Sequence, residues 1–135
     1  MRSAAYAVFA LTLGLALAGC KSEAEKQISD ITEKQKDMVS VLKGVKDKDS
    51  AKAANVKLKS IAQDLTAIFE KMKKTNPSQD EQKRLMEKYK AEQEQTGKDL
   101  KVEADRIGKN PELAMELMEG MMAIQGAAFK AQMMK

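Results

Sequence analysis

The stretch that decides the fold is residues 50–74, SAKAANVKLKSIAQDLTAIFEKMKK. Apolar side chains recur in it at spacings of three and four residues, at Ala51, Ala54, Leu58, Ile61, Leu65, Ile68 and Met72. Such spacing returns to one side of an α-helix, and Lys52, Lys59 and Lys73 each follow an apolar position and so point outward. The pattern therefore predicts an amphipathic helix that buries one face.

Turn signals bound this helix on both sides. Pro77 stops it, because the residue before a proline disfavours the α-helical backbone conformation. At the other end, the polar segment 46–50 has turn composition, and Asp49 or Ser50 is the predicted N-cap. The sequence therefore predicts a helix from about Ser50 to Lys74.

A first helix is predicted over residues 22–45, where the same three-and-four spacing recurs. Its predicted buried seam is Ile28, Ile31, Gln35, Met38, Leu42 and Val45. Residues 21–27 are mostly polar, so a short tether is the alternative to helix for that segment.

A third helix is predicted from the N-cap residue Ser78 to about Ile107. Its seam is Met86, Tyr89, Gln93, Thr96, Leu100, Glu103 and Ile107. Polar side chains interrupt this seam, and the stretch 92–96 is therefore predicted to be hydrated, bent or in contact with a partner.

The fourth helix is predicted over residues 111–133. Gly108 suits the C-cap of the preceding helix, Asn110 suits an N-cap, and Pro111 suits the first helical position. Four helices joined by short loops predict an all-α fold, arranged as an antiparallel helical bundle or as paired helical hairpins.

The first twenty residues carry a different signal. Arg2 precedes a nearly continuous apolar run over residues 4–18, which is shorter than the ~20 residues of a membrane-spanning helix. The sequence Leu17-Ala18-Gly19-Cys20 then resembles the lipobox of bacterial lipoproteins, in which small residues before an invariant cysteine give a membrane peptidase access to the bond. The resemblance implies cleavage between Gly19 and Cys20 and acylation of the Cys20 thiol.

This resemblance divides the chain into a signal peptide over residues 1–19, an acylated cysteine with a short tether over 20–27, and a helical domain over 28–135. It implies anchorage of the protein to a membrane of the cell envelope. Lys21 is not the aspartate that keeps lipoproteins of enteric-type bacteria at the inner membrane, so the implied site in a Gram-negative host is the periplasm-facing outer membrane. The body is also similar to small, Lys-, Glu- and Met-rich helical envelope lipoproteins without assigned activity.

Composition argues against several functional classes. The chain has 135 residues and a net charge of +4, with no histidine and one cysteine. The commonest general base and metal ligand is thus missing, and a single cysteine excludes both an internal disulfide and a cysteine cage for a metal. Acidic residues are mixed among the basic ones and aromatic residues make up only 4%, which argues against nucleic-acid binding. We expect a non-enzymatic protein without cofactor, metal site or nucleic-acid partner.

The methionine-rich fourth helix is the leading candidate for a binding surface. One apolar stripe consists of Leu113, Leu117, Ile124 and Ala128, and a second consists of Met115, Met118, Met122, Phe129 and Met133. Methionine surfaces adapt to varied partners, so the second stripe is our candidate contact surface for an envelope protein or for a second copy in a homo-oligomer. The alternatives are core packing within the bundle, or binding of a soft ion such as Cu(I), or of a small ligand, by Met115, Met118 and Met122.

Three charged features have both a functional and a structural interpretation. Glu112, Glu116 and Glu119 share one helix face, where a solvated row that complements the helix dipole is favoured over catalysis or cation binding. Lysines within 52–74 suit anionic lipid headgroups, although acidic residues dilute their charge. Lys135 is similar in position to the terminal lysine that joins murein lipoproteins to peptidoglycan, which would make the protein a membrane-to-wall spacer. Lysine is abundant in this chain and an unbroken heptad array is missing, so a chance lysine at this position is favoured. The favoured function is a lipid-anchored envelope protein that acts through protein–protein contacts.

Overall fold

A computed structural model of the protein describes residues 21–133, which form four α-helices and, over that range, no strand. The helices are α1 (Lys21–Lys43), α2 (Lys48–Thr75), α3 (Gln79–Gly108) and α4 (Pro111–Met133). The expected all-α fold is confirmed. The predicted signal peptide, Cys20 and Lys135 lie outside the described residues. No helix within residues 21–133 is both long enough and apolar enough to cross a membrane.

Contacts between α1 and α2 show that these helices are antiparallel. Near the start of α1, Gln27 Nε2 donates a hydrogen bond to Thr75 Oγ1 at the end of α2, at 2.7 Å. Further along, Lys34 Nζ lies 2.9 Å from a carboxylate oxygen of Asp64. The turn that joins the two helices therefore folds α2 back along α1.

The third and fourth helices each run parallel to an earlier helix. Lys88 of α3 pairs with Glu25 of α1, and Arg106 further along α3 contacts residues at the end of α1. On the other side of the molecule, Lys48 at the start of α2 lies 3.4 Å from Glu112 at the start of α4. Successive helices thus alternate in direction, as in an up-down-up-down bundle.

The helix pairs differ in how closely they pack. The most extensive contact joins α2 and α4, while α1 packs against both α2 and α3. Helices α3 and α4 contact each other more sparsely, and among the described residues the backbones of α1 and α4, and of α2 and α3, do not come close. Going round the bundle, the order is therefore α1, α2, α4, α3.

Gly120 sets the close approach of α4 to α2. A Cβ atom at this position would lie 2.8 Å from the Leu58 Cβ and 2.9 Å from the Asn55 carbonyl oxygen, closer than real Cβ contacts. The Gly120 backbone N–H also donates a hydrogen bond to Asn55 Oδ1, at 2.6 Å. The absence of a side chain at residue 120 thus lets the two helix backbones touch.

The core follows the predicted seams of α1 and α2 closely. Side chains buried in the core cluster include Ile31, Met38, Leu42, Val45, Ala51, Ala54, Leu58, Ile61, Leu65 and Met72. In α3 the seam differs at its start, because Leu85 is fully buried while the predicted Met86 is 39% exposed. Arg84 and Lys88, which lie before and after Leu85 on α3, both pair with Glu25 of α1. This side of α3 therefore faces α1.

A polar layer lies within the bundle between α1 and α3. Gln93 and Thr96 are buried, whereas Glu94 and Gln95 are exposed, and α3 continues uninterrupted through all four. The hydration predicted for residues 92–96 therefore applies to the outward side chains of this stretch and not to its two seam residues. The Thr96 hydroxyl donates to the Glu92 carbonyl oxygen at 2.8 Å, which satisfies it within its own helix. Gln35 of α1 is also buried, and its amide makes no hydrogen bond with the described residues.

Arg106 joins α3 to the end of α1. Its guanidinium donates hydrogen bonds to the carbonyl oxygens of Leu42, in the last turn of α1, and of Val45, just beyond it, at 2.8 Å and 2.9 Å. The Arg106 Nε also donates to the largely buried carboxylate of Glu103, at 2.7 Å. One arginine thus caps α1 and neutralises a buried acid on its own helix.

The start of α2 differs from the sequence prediction. Helix α2 begins at Lys48, and its N-cap is Asp47 rather than Asp49 or Ser50. Asp47 Oδ1 accepts a hydrogen bond from the Ser50 backbone N–H at 2.8 Å, and Ser50 Oγ accepts one from the Asp47 N–H at 3.0 Å. The hydrogen bond from the Ser50 backbone N–H lowers the pKa of the Asp47 carboxyl below its ordinary value, and the hydrogen bond from the Ser50 hydroxyl lowers it further. Ser50 therefore acts as the reciprocal residue of a capping box.

Two further boundaries differ from those predicted. Residues 21–27, considered as part of a tether, are helical, and Ala24 and Gln27 are buried against the bundle. Helix α3 ends with Gly108 inside it and Lys109 as its C-cap in a right-handed conformation. The Lys109 backbone N–H bonds to the Ile107 carbonyl, so this cap does not need the left-handed backbone that favours glycine.

The predicted N-caps of α3 and α4 are confirmed. Ser78 Oγ accepts a hydrogen bond from the Glu81 backbone N–H at 3.3 Å. Asn110 Oδ1 accepts from the backbone N–H groups of Glu112 and Leu113, at 3.1 Å and 3.3 Å. Polar caps next to prolines therefore fix where both helices begin.

Two glycines of α4 provide a matched test of the packing at Gly120. We expect Gly120→Ala to lower the free energy of unfolding by about 1–3 kcal/mol, because the new methyl group meets a backbone oxygen and a Cβ atom that cannot move aside. Gly126→Ala meets nothing within 4 Å and should raise it by roughly 0.5–1 kcal/mol through helix propensity. Denaturant unfolding of both variants measures the difference. Equal effects would contradict the close approach of α4 to α2.

Candidate functional site

Helix α4 has two apolar faces with opposite environments. The buried face consists of Leu113, Leu117, Gly120, Ile124, Ala127, Ala128 and Ala131. The candidate contact residues predicted from the sequence, Met115, Met118, Met122, Phe129 and Met133, are all 51–72% exposed. We call these five side chains the methionine face.

The packing of the bundle explains why the methionine face is exposed. Helix α4 rests mainly on α2 and only sparsely on α3, so a single stripe of it is covered. With 3.6 residues per turn, side chains on the opposite side of α4 have no helix above them. Sequence alone left open whether these methionines form core or surface, and the structure places them on the surface.

The methionine face carries no charged side chain. The uncharged exposed residues near its members are Gln125, Gly126 and Gln132, and the charged residues of α4 lie to one side, at Glu112, Glu116, Glu119 and Lys130. An exposed, mainly apolar area of this kind is unusual for a monomeric surface and typical of a contact site.

The glutamate row fastens α4 to α2. Lys48 Nζ lies 3.4 Å from Glu112 and 3.5 Å from Glu116, and Lys59 pairs with Glu119. Hydrogen bonds to Glu112 and then to Glu116 raise the pKa of Lys48, and the hydrogen bond from Lys59 lowers the pKa of Glu119. Each carboxylate thus lies beside a lysine of α2. This arrangement suits a structural role better than proton transfer, which needs a group that titrates near the working pH.

An apolar groove lies beside the methionine face, between α4 and the end of α3. Its volume is about 180 Å³. It is lined by Leu42, Ala104, Ile107, Gly108, Ala114, Leu117, Met118, Met121, Met122 and Gln125. Two members of the methionine face, Met118 and Met122, form its outer wall, so groove and face make one continuous apolar surface.

Sequence reasoning missed this groove. Its lining includes short or absent side chains on two helices, Ala104 and Gly108 on α3 and Ala114 on α4. Alanine and glycine at the ends of two consecutive helices are the signal that could have pointed to it. However, a gap depends on how far apart the helices lie, which the spacing of residues along each helix does not reveal.

The structure also places the residues of the metal hypothesis. Met115, Met118 and Met122 lie on one side of α4, each more than half exposed. Within residues 21–133, no group of three or more histidine, cysteine, aspartate or glutamate side chains is placed to hold a metal ion. A soft-ion site would therefore have to rely on these three thioethers alone, at an open surface.

Comparison of the chain with models of protein families, with curated proteins and with solved structures returns no match in any of the three. Any functional argument therefore rests on the residues and geometry of this chain.

The opposite environments of the two faces of α4 predict opposite responses to substitution. Met122→Gln should change the free energy of unfolding by less than about 0.5 kcal/mol, because the side chain already contacts water. Ile124→Ala should lower it by about 2–5 kcal/mol, since it removes buried methyl groups and leaves a cavity. Both are to be measured by denaturant unfolding at low protein concentration, where self-association does not contribute. A large loss for Met122→Gln would mean that this methionine is core.

Proposed function

We propose that this protein is a lipid-anchored, non-enzymatic component of the bacterial cell envelope that acts through protein–protein contacts made by its methionine face. In this proposal Cys20 carries the acyl chains and the helical bundle is held next to the membrane. Two or three acyl chains anchor a protein durably, because each buried methylene group adds about 0.8 kcal/mol.

The exposure of the methionine face is the observation that carries the proposal. At roughly 200 Å² for a large side chain, its five members present about 600 Å² of mainly apolar surface to water. Burying such a surface is favourable at about 25 cal/mol per Å², before the cost of association is subtracted. Flexible methionines and one aromatic ring are also the side chains enriched at the centres of protein interfaces.

The geometry of the bundle fits an anchored adaptor. Helix α1 begins at Lys21, immediately after the proposed acylated cysteine, and α4 ends at the same end of the bundle. The methionine face follows α4 for about 30 Å, from Met133 near the anchor to Met115 far from it. A partner could thus be contacted at any point along this length.

A photo-crosslinking residue at position 122 of the full-length chain tests the contact in living cells. Position 56 is the matched control, since Met122 and Val56 are 63% and 68% exposed and Val56 lies on α2. We expect a discrete adduct at position 122 and none at 56. The adduct should be lost when Met118→Glu and Phe129→Glu are added, and retained when Val102→Glu is added on α3.

Two outcomes would contradict the proposed contact. One is the absence of any adduct at position 122 in a chain that is correctly exported. The other is an adduct pattern shared by positions 122 and 56, which would reflect random collision at exposed apolar side chains.

The anchor has its own test. Cells that produce the chain are fed a labelled fatty acid, and we expect the label in the wild-type chain and its loss in Cys20→Ser. The mass of the mature protein should correspond to a chain that begins at residue 20 and carries a diacylglycerol. An unmodified Cys20, or a chain that keeps residues 1–19, would overturn the lipoprotein part of the proposal.

A further inference from the structure

We infer that the methionine face is covered by the same face of a second copy of this chain, with the two α4 helices antiparallel and each Phe129 ring seated in the other copy's groove. This inference rests on the proposed function and names the partner of the contact surface. Three features of the surface support it: the fit between ring and groove, the position of each along α4, and the distribution of charge.

The groove has the size of one aromatic ring. Its volume is about 180 Å³, and an apolar cavity of about 150 Å³ is sufficient to bind benzene. Phe129 is the most exposed aromatic side chain within residues 21–133, since Phe69 is buried and Tyr89 is half-buried. The Phe129 ring does not line the groove of its own chain, so it is available to enter another.

The spacing of ring and groove along α4 selects an antiparallel pair. The outer wall of the groove is formed by Met118 and Met122, and Phe129 lies about 14 Å further along the helix. In a two-fold symmetric interface, each feature contacts its complement on the other copy. A two-fold axis that passes between the two α4 helices at the level of Gln125 places each Phe129 ring at the groove of the other copy. A parallel pair would set ring against ring and leave the grooves unfilled.

Charge favours the same arrangement. Helix positions eleven residues apart share a side, so Glu119 and Lys130 lie on one flank of the methionine face. An axis near Gln125 brings Glu119 of each copy, which also pairs with Lys59 of its own chain, opposite Lys130 of the other. Lys130 makes no ion pair with the described residues of its own chain. A parallel pair would bring the two glutamate rows to the same level.

The available area is sufficient for a specific dimer. Two methionine faces of about 600 Å² each would bury about 1,200 Å² in total, and specific interfaces begin at about 1,000 Å². The groove walls add to this area once a ring is inserted. The pair thus needs no contribution from α1 or from the outward side of α2.

Cysteine crosslinking in cells that produce the full chain tests both the pairing and its direction. A short, membrane-permeant thiol crosslinker is used, so that the readout does not depend on the compartment. We expect Gln125→Cys, beside the axis, to form covalent dimers, and the equally accessible Val56→Cys to form none above the parent chain. Met115→Cys should form none with itself, but should join to Met133→Cys when differently tagged copies of the two variants are co-produced.

The ring-in-groove contact has a separate readout. Adding Phe129→Ala to Gln125→Cys should lower the dimer yield about tenfold, as removal of an aromatic anchor at an interface does. Adding Val56→Ala is the matched control and should leave the yield unchanged. Phe129 is exposed, so the thermal unfolding of Phe129→Ala at low concentration should match that of the parent chain, which separates lost pairing from lost folding.

Each alternative result has a definite meaning. Self-crosslinking of both Gln125→Cys and Met115→Cys would overturn the antiparallel arrangement in favour of a parallel one. An absence of Gln125→Cys dimers would overturn self-pairing altogether. The photo-crosslinker at position 122 then distinguishes the two proposals: an adduct to a different envelope protein preserves the proposed function, and no adduct removes it as well.

Discussion

The contact between α2 and α4 at Gly120 is the constraint on which the rest of the structure depends. Because residue 120 has no side chain, the α4 backbone reaches the Leu58 Cβ and the Asn55 carbonyl, and its N–H bonds to the Asn55 side chain. Such a close approach fixes the rotation of α4 about its own axis. The stripe through Leu117 and Ile124 must then face α2, and the methionines must face solvent.

Ion pairs between α2 and α4 are compatible with this orientation of α4 but do not determine it. Lys48 and Lys59 on α2 reach the glutamates on the adjoining flank of α4, at exposed sites where single ion pairs contribute little to stability. On the other side of the bundle, Arg106 uses its charge on the last carbonyls of α1 and on Glu103, which is largely buried. Helices α2 and α4 are thus the most closely packed pair, while α1 packs against both α2 and α3.

The groove follows from this unequal packing. Helix α3 packs against α1 and helix α4 against α2, and the two contact each other only sparsely although only the segment 109–110 separates them. The side chains that line the gap between them include Ala104 and Ala114, which are too short to fill it. An apolar gap beside an apolar, uncharged face is a surface that association can stabilise, and the absence of charge across it avoids the cost of desolvating ions. The proposed contact surface is therefore the part of α4 that the α2–α4 contact leaves uncovered.

The periodicity of the sequence by itself determined the four helices, their caps at Ser78 and Asn110, and the buried seams of α1 and α2. These features depend on interactions between residues a few positions apart, which sequence spacing records directly. Spacing also identified the five side chains of the methionine face as a group. It placed Met86 rather than Leu85 in the buried seam of α3, which is wrong, because both lie about one turn before Tyr89 and spacing along one helix does not show which of them faces the bundle.

Only the tertiary structure decided that the methionine face is surface rather than core. A helix with two apolar stripes can bury either or both, and the choice depends on how many neighbours approach it and how closely. The distance between α4 and α2 depends on a contact between residues far apart in the sequence, because Gly120 has no Cβ opposite Asn55 and Leu58. No pattern within α4 alone reveals it. The tertiary structure likewise decided the groove, because the gap between α3 and α4 is wider than the alanine side chains that line it can fill.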